Sequence, residues 1–346
     1  MTRKWTRGVL GAALCVAFSS AAGAQTCPLT QPMVVASGLN SPFRLVVDDQ
    51  FVYYLGYPPK SPGVYRVDKD GGTPQLIVDG GADTNDSEME LAVDATSIYV
   101  MYPFFDQGSS GLGGGAILVY DKAGTLLRGV GSTPSIPGDC HQPSLTDFAV
   151  APDGDIYWIQ KDEPGIFGGP CEELAQSGIG RDPAGAASAT LLLRTFGHAS
   201  HIRADATHIF WDDAQRIERM QAGGGAVQEL AVHVQPVVSL AIDPNYIYWS
   251  YYNDSTTQGT YQIVGVGQQV QVVPVGLFDL QTDGSYVYGN NPRTGTGAPF
   301  NVYRMKPNGH GLVNLAKGGG NGLAVDDTFV YYYNANRTAI MKWCKI

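Results

Sequence analysis

The stretch LAIDPNYIYW, residues 240–249, indicates the fold because the chain contains seven versions of it. In each version a hydrophobic run leads into a short polar turn, usually through Asp, and the chain continues with Val or Ile and an aromatic residue. Internal repetition at this period is typical of solenoids and propellers, so it outranks any local motif. The other six versions begin at Leu45, Leu91, Phe148, Ile202, Leu280 and Leu323.

Two further strands follow the aromatic strand in the repeat. Third strands such as GVYRVDKDGG from Gly63 and NVYRMKPNGH from Asn301 run into a Gly-containing turn, and a fourth strand comes next. Four short strands with Gly, Asp and Asn at the turns describe an antiparallel sheet. We therefore predict an all-β fold, a β-propeller of seven four-stranded antiparallel blades that forms one domain over residues 25–346.

The two ends of the chain predict how the ring closes. The last version of the repeat stops at Ile346 after its third strand, whereas residues 32–38 have the pattern of a fourth strand and precede the first complete blade. An N-terminal strand that joins the last blade explains both observations. It also brings Cys27 close to Cys344, which predicts a first disulfide bond.

The first 24 residues have the three parts of a secretory signal peptide. A basic segment at residues 1–7 precedes an apolar segment at residues 8–18, and Ala22-Gly23-Ala24 supplies the small residues of a cleavage site. The apolar segment is too short to span a bilayer. We therefore expect an exported protein, periplasmic or extracellular, without a membrane anchor, whose remaining cysteines meet an oxidising compartment.

The charge balance excludes one class of partner. The chain has 22 Lys and Arg against 32 Asp and Glu side chains, a formal net charge of −10, and the predicted leader contains basic residues but no acid. Nucleic acid is not an expected partner, because phosphates need a basic surface. The acidity either keeps an exported protein in solution or places carboxylates around a cation or a cationic ligand.

The long connections are expected on one face of the propeller. In a four-stranded meander, the loops between second and third strands and the loops between blades emerge on the same face, and the long connections belong to these two classes. Cys140 and Cys171 lie in two such loops of the third blade, which predicts a second disulfide bond. Long loops on a rigid scaffold are the usual place for binding or chemistry.

The Asp that recurs after the first strand is interpreted as a turn residue rather than as part of a metal site. A short carboxylate at this place can accept hydrogen bonds from the amides of the turn. The aromatic column is interpreted as packing between blades. The recurring acids are Asp48, Asp94, Asp205, Asp243, Asp283 and Asp326.

The repeat also resembles a known family. The segments IYW at 247–249 and IFW at 209–211, the turn Asp before them, and RMQAGG and RMKPNG at Arg219 and Arg304 resemble the YWTD repeats of low-density lipoprotein receptors and the TolB-like secreted propellers of bacteria. This resemblance implies a protein-binding or scaffold role and transfers no catalytic residue. Because YWTD propellers have six blades, six is the alternative blade number.

One position of the repeat is mostly polar, although the positions after it are mostly Val, Ala or Leu. It immediately precedes the first strand of each blade and should approach the mouth of the central channel. These seven residues, called the ring residues below, are Arg44, Glu90, Asp147, His201, Ser239, Asp279 and Gly322. The predicted ligand-binding residues among them are Arg44, Glu90, Asp147, His201 and Asp279.

Three interpretations of the ring residues are open. They form a solvated polar rim, or Glu90, Asp147 and Asp279 hold a divalent cation, calcium or magnesium, through their carboxylates. In the third interpretation His201, Glu90 and Arg44 are catalytic groups, with His201 as a base beside acids. Two residues near these positions, Glu88 and His198, could add ligands.

Two functions are compatible with these patterns. The first is a non-enzymatic exported propeller that binds a protein, a glycan or a small ligand on the loop-rich face, because aromatic anchors dominate recognition. The second is a metal-assisted lyase or lactonase that acts through the polar ring residues, with Arg44 orienting an anionic group. The aromatic residues expected at the binding surface are Tyr57, Tyr102, Phe104, Phe105, Tyr251 and Tyr252.

Overall fold

The structure, a computed structural model, is a seven-bladed β-propeller, as predicted. Each blade is one sheet of four antiparallel strands, so the alternative of six blades is wrong. The residues it describes contain strands and turns but no helix. They are residues 31–56, 63–80, 89–105, 114–131, 141–164, 177–185, 188–195, 199–213, 215–233, 235–251, 259–263, 270–292, 300–317 and 322–345.

The first four blades follow one another along the chain. Blade 1 contains β2 (Phe43–Val47), β3 (Phe51–Gly56), β4 (Gly63–Asp68) and β5 (Gln75–Asp79). Blade 2 contains β6 (Glu90–Val93), β7 (Ser97–Phe105), β8 (Gly114–Asp121) and β9 (Leu126–Gly131). Blade 3 contains β10 (His141–Val150), β11 (Ile156–Pro164), β12 (Ser177–Asp182) and β13 (Thr190–Thr195). Blade 4 contains β14 (Ala199–Ala204), β15 (His208–Asp213), β16 (Arg216–Gln221) and β17 (Gln228–Val232).

The last three blades complete the ring. Blade 5 contains β18 (Val237–Ile242), β19 (Ile247–Tyr251), β20 (Gly259–Ile263) and β21 (Val270–Val273). Blade 6 contains β22 (Phe278–Thr282), β23 (Val287–Pro292), β24 (Phe300–Met305) and β25 (Val313–Lys317). Blade 7 contains β26 (Leu323–Val325), β27 (Phe329–Tyr333), β28 (Ala339–Cys344) and, from the other end of the chain, β1 (Met33–Ser37).

Strand β1 closes the ring, as the sequence predicts. It pairs antiparallel with β28 from Met33 opposite Lys342 to Ser37 opposite Ala339, and it is the outermost strand of blade 7. The first and last segments of the chain therefore share one sheet. Opening the ring requires that these backbone hydrogen bonds break, so closure ties the two termini to the stability of the whole molecule.

The aromatic column packs between adjacent blades, as predicted. Tyr157 of blade 3 and Trp211 of blade 4 lie in one buried cluster, and Tyr54 of blade 1 lies in another with Tyr331 of blade 7. All four side chains are buried. Full burial of a large apolar side chain stabilises a fold by about 1.5–3 kcal/mol, so these clusters hold the blades together.

The recurring Asp is a turn residue, and in blades 1, 6 and 7 it also binds the next blade. Oδ1 of Asp326 accepts hydrogen bonds from the amides of Thr328 at 2.8 Å and Phe329 at 2.7 Å. Its Oδ2 accepts from the hydroxyl of Tyr331 at 2.9 Å and pairs with Nζ of Lys69 in blade 1 at 2.7 Å. The sequence predicted the turn contacts but not the tyrosine and lysine.

Three of the four cysteines in the predicted disulfide bonds, Cys27, Cys140 and Cys171, lie outside the described residues. Both disulfide bonds therefore stay predictions, although Cys344 ends the strand that pairs with β1. In the part of the chain that the structure describes, no helix is long and apolar enough to cross a membrane.

Candidate functional site

The seven ring residues converge on one central cavity. The first strand of each blade is the innermost one, and these seven strands contact one another in sequence around the channel. A cavity of about 540 Å³ lies where they begin, and all seven ring residues line it. Convergence follows from the repeat, because equivalent positions in radially arranged blades lie on a circle.

The sequence pattern predicts that each ring residue lies immediately before the first strand of its blade. The structure differs from this prediction. Six lie within the strands, and only Gly322 precedes its strand, β26. In five blades the pairing with the second strand shifts register at or next to the ring position, which is the mark of a β-bulge. The shift spans the ring residue in blades 1, 4 and 6 and lies immediately before it in blades 3 and 5. A bulge re-aims a side chain and is common next to functional sites.

Three ring residues have a backbone conformation that L-amino acids rarely adopt. Arg44 has φ +47°, Asp279 has φ +51° and Gly322 has φ +138°. A non-glycine residue in the left-handed region costs on the order of 1–3 kcal/mol, so the surrounding contacts must hold it there. The inner strands therefore contain stored strain at the cavity.

Hydrogen bonds join ring residues to neighbouring blades. Each bond runs from one blade to the next in the ring, so these residues also lock the blades together at the cavity. The four bonds are Ile202 N–H to Asp147 Oδ2 at 2.9 Å, Leu280 N–H to Ser239 Oγ at 2.8 Å, Gly322 N–H to Asp279 Oδ2 at 2.8 Å, and Tyr333 Oη–H to the Arg44 carbonyl at 3.1 Å.

Arg44 and Glu90 are in direct contact across the boundary between blades 1 and 2, and they form an ion pair when Glu90 is ionised. Nε of Arg44 also donates to the carbonyl of Met89 at 3.2 Å. Burial, the largest effect, raises the pKa of Glu90 to about 8, whereas Arg44 lowers it and Asp147 raises it further. The Glu90 carboxyl therefore holds its proton more firmly than an ordinary glutamate does.

Arg203 is a cavity residue that the sequence analysis missed. It lines the cavity, and its Nη1 donates to Oδ2 of Asp147 at 2.9 Å and to the carbonyl of Ile202 at 2.6 Å. A signal was present, because Arg203 lies two residues after His201 in a column that is Val, Ala or Gln in the other six blades.

Asp212 is the second missed residue. It is buried in β15, and its Oδ1 accepts a hydrogen bond from the amide of His201 at 2.7 Å. The same oxygen lies 2.9 Å from Nδ1 of the His201 ring, within hydrogen-bond distance. Burial by itself lowers the pKa of His201, but Asp212 and Asp147 outweigh it, so the net shift of that pKa is upward. Asp212 thus orients the imidazole and stabilises its charged form.

Asp212 occupies a repeat position of the second strand, and polar residues at this position in blades 4, 6 and 7 form hydrogen bonds with ring residues. The equivalent residue is apolar in blades 1 to 3 but polar in the rest of the ring. Asn290 Nδ2 donates to Asp279 Oδ2 at 3.1 Å, and Tyr333 bonds to the Arg44 carbonyl as described above. A polar residue at this position, directly after the aromatic residues, is the sequence signal for these hydrogen bonds.

The carboxylates predicted to bind a cation share the cavity but not one coordination site. Within the described residues, no group of three or more His, Cys, Asp and Glu side chains is arranged to hold a metal ion. Glu90 pairs with Arg44, Asp147 binds Arg203, and Asp279 accepts hydrogen bonds from blades 6 and 7. His198 and Glu88 lie outside the described residues.

The aromatic residues predicted for an exposed binding surface are not exposed where the structure describes them. Tyr102 and Tyr251 are buried, and the hydroxyl of Tyr251 bonds to that of Tyr261. Their strands extend further than expected, which turns both side chains into the blades. Tyr57 and Tyr252 lie outside the described residues, and Phe104 and Phe105 are placed only as part of β7.

Comparison with solved structures shows which proteins share this fold. The chain is similar to puromycin hydrolase, with a TM-score of 0.64 and 13% identity over 87% of this chain and 51% of that one. It is also similar to oligogalacturonate lyase from Vibrio parahaemolyticus, with a TM-score of 0.61 and 11% identity over 89% of both chains. A third similar structure is a puromycin-hydrolyzing peptidase of Mycobacterium tuberculosis, with a TM-score of 0.61, 13% identity and coverage of 89% and 54%.

These likenesses establish a seven-bladed β-propeller and assign no family. The chain spans about half the length of puromycin hydrolase and most of the length of the lyase. No protein-family model matches the sequence, and no curated protein matches it. The resemblance to YWTD and TolB-like repeats therefore rests on the sequence motifs alone.

Proposed function

We propose that this protein is an exported, non-enzymatic propeller that binds a small polar ligand in its central cavity. The observation that carries the proposal is the convergence of the seven ring residues around about 540 Å³ of space. Cavities of about 300–1,000 Å³ are typical of small-molecule sites. Export is proposed from the N-terminal 24 residues, and proteins and glycans are further candidate partners of the loop-rich face.

Locking of the blades does not account for all the polar groups in the cavity. Asp147, Ser239 and Asp279 accept backbone hydrogen bonds from the next blade, which is a structural role. The His201 side chain bonds to Asp212 of its own blade, so it does not join two blades. The Arg44 side chain does contact blade 2, but it and the His201 side chain are both partly exposed. Charged groups at the wall of a cavity are costly unless they meet water, a partner or a ligand.

A blocked cavity tests this proposal. Ala92 lines the cavity and carries no charge, so Ala92→Phe should fill part of the space without altering the ion pairs. Compounds from a small polar library that raise the melting temperature of the natural protein should then lose their effect. Leu126→Phe, on the exposed edge strand β9, is the matched control. Equal stabilisation of all three proteins would contradict binding in the cavity.

The second candidate is a lyase or lactonase, and the observation that favours it is the His201–Asp212 pair. An imidazole held by a buried carboxylate is a common acid or base in enzymes. Similarity to a lyase and to hydrolases gives these reaction classes a place among the candidates. Activity on lactones or uronate oligomers that His201→Gln and Asp212→Asn both abolish, in folded protein, would favour the enzyme.

A further inference from the structure

Three pairs of a basic side chain and an acid surround the central cavity. Two of the basic side chains are arginines, which are always cations, and the third is His201, which is a cation when it is protonated. The pairs are Arg44 with Glu90, Arg203 with Asp147 at 2.9 Å, and His201 with Asp212 at 2.9 Å. In every pair the basic side chain is the more exposed member. The side-chain exposures are 33% against 24%, 33% against 11% and 22% against 4%, respectively. The acids therefore lie deeper in the protein, and the basic side chains lie nearer to the open space of the cavity.

The acids are largely occupied by the protein itself. Asp147 accepts from the amides of Ile202 and Phe148 as well as from Arg203. Asp212 receives both the backbone amide and the ring nitrogen of His201. A carboxylate that is buried and bonded in this way has little capacity left for a ligand.

The cations retain donors. Arg44 uses Nη2 and Nε in its bonds to Glu90 and Met89, and Arg203 uses Nη1 for both of its bonds. A guanidinium carries five N–H groups in a planar fork that matches carboxylate and phosphate oxygens. The donors that remain on Arg44 and Arg203 therefore suit an anion, although the chain as a whole is acidic.

We infer that the ligand of the central cavity is a small anion, held by Arg44, Arg203 and His201. This inference rests on the proposed binding function and names the chemistry of its ligand. The cations belong to blades 1 and 4, whereas Ser239 and Asp279 line the cavity from blades 5 and 6. An anionic group therefore binds on the side of blades 1 to 4, and uncharged or donor groups of the ligand face Ser239 and Asp279.

Three sugars that share a pyranose ring but differ in charge, together with two further anions, test the inference. Saturation-transfer NMR on the full mature chain compares D-glucuronate with D-glucose and D-glucosamine, and adds citrate and inorganic phosphate. We expect the anions to bind and D-glucose and D-glucosamine to bind at least tenfold more weakly, on the order of one charge-assisted hydrogen bond. Neutral or cationic probes that bind in the cavity while the anions do not would overturn the inference and leave the proposed function intact. If none of the probes binds, both fail.

Two variants distinguish the contribution of Arg44 to anion binding from that of Glu90. Glu90→Gln keeps Arg44, so affinity for the anion should be retained or increased. Arg44→Gln combined with Glu90→Gln removes the cation without leaving an unpaired charge, and affinity should fall about tenfold. Arg216→Gln, at an exposed arginine paired with Glu229 outside the cavity, is the control and should bind as the natural protein does.

The opposite order of affinities would overturn the inference. A site that recognises a cation through Glu90 loses affinity in the single variant as much as in the double one. Circular dichroism and melting temperature confirm that each variant is folded before it is titrated. The probe in these titrations is the anion that gives the strongest signal with the natural protein.

Discussion

Gly322 is the one ring residue without a side chain, and its surroundings explain why. Its φ is +138°, and a Cβ atom at this position would lie 2.6 Å from Cε2 of the Tyr333 ring. Tyr333 is fully buried and bonds to the Arg44 carbonyl, so its ring has little room to move. Close approach of the backbone at the cavity thus depends on glycine.

Gly322→Ala should therefore destabilise the fold. We expect a loss of about 1–3 kcal/mol in the free energy of unfolding, from strain at positive φ and from the contact with Tyr333. Urea denaturation measures this change. The control is Gly223→Ala, because a Cβ at Gly223 meets no atom within 4 Å. A loss at Gly223 as large as that at Gly322 would contradict the explanation.

Glu90 makes stability depend on pH. Burial raises its pKa to about 8, with Arg44 and Arg203 acting in the opposite direction and Asp147 and Asp279 adding to the rise. The unfolded chain releases this proton near pH 4.3, so between about pH 4.3 and 8 only the folded state holds it. Stability should accordingly fall as pH rises through this window.

Glu90→Gln tests this dependence. One proton contributes at most about 1.4 kcal/mol per pH unit, and less here because the Glu90 side chain is 24% exposed. The variant should lose this part of the slope when unfolding is measured by denaturant from pH 5 to pH 8. Parallel curves for the two proteins would show that the carboxyl titrates outside the window.

The turn between first and second strands is the element that repeats most faithfully. In blades 1, 6 and 7 the turn Asp accepts from a tyrosine of its own blade and pairs with a lysine of the following blade. Lys69 lies 2.7 Å from Asp326 and 5.9 Å from the centre of the Tyr331 ring. The element therefore joins local turn geometry to contacts between blades.

Loss of this lysine should weaken the ring. Lys69→Met removes the ion pair with Asp326, and we expect a loss of about 1 kcal/mol in the free energy of unfolding. Lys306 follows the third strand of blade 6 in the same way but is exposed, so Lys306→Met is the control and should have little effect. Thermal and chemical denaturation compare the two variants. Equal effects would mean that the bridge contributes nothing.

The elements that the sequence predicted are those with a repeated motif. First and second strands were predicted in all blades because strand, turn and aromatic residues recur together. The outer strands Ser177–Asp182, Thr190–Thr195, Gly259–Ile263 and Val270–Val273 were not identified individually, although glycine occurs between the third and fourth strands of both blades, because their sequences differ from those of the corresponding strands in the other blades. The fourth strands Thr190–Thr195 and Val270–Val273 are edge strands, which need less specific packing, so their sequences vary more.

The candidate site was predicted in part for the same reason. Equivalent positions must converge, so the seven ring residues could be found by alignment of the repeats. The bulges at Arg44 and Asp279 could not, because a register shift depends on the pairing strand. Arg203 was missed because it differs from the rest of its column, and Asp212 was missed because its column varies from blade to blade, whereas the repeat is recognised from the residues that the copies share.

At the scale of the whole molecule, closure by β1 makes the N-terminal segment part of the last blade. The predicted bond between Cys27 and Cys344 would add a covalent link to the hydrogen bonds of β1 with β28. A loop of this length would contribute at most about 5 kcal/mol in the chain-entropy model. Non-reducing peptide mapping should find this pair together with Cys140 joined to Cys171. A Cys27 peptide joined to Cys140 would contradict the closure argument.

The central claim is that seven inward-facing positions build one binding cavity with cations at its surface. A crystal structure of the protein soaked with D-glucuronate tests it most directly. The account predicts ligand density inside the cavity, with the carboxylate within hydrogen-bond distance of Arg44 or Arg203. A cavity that holds only water, or a carboxylate turned toward Asp279 and away from both arginines, would contradict it.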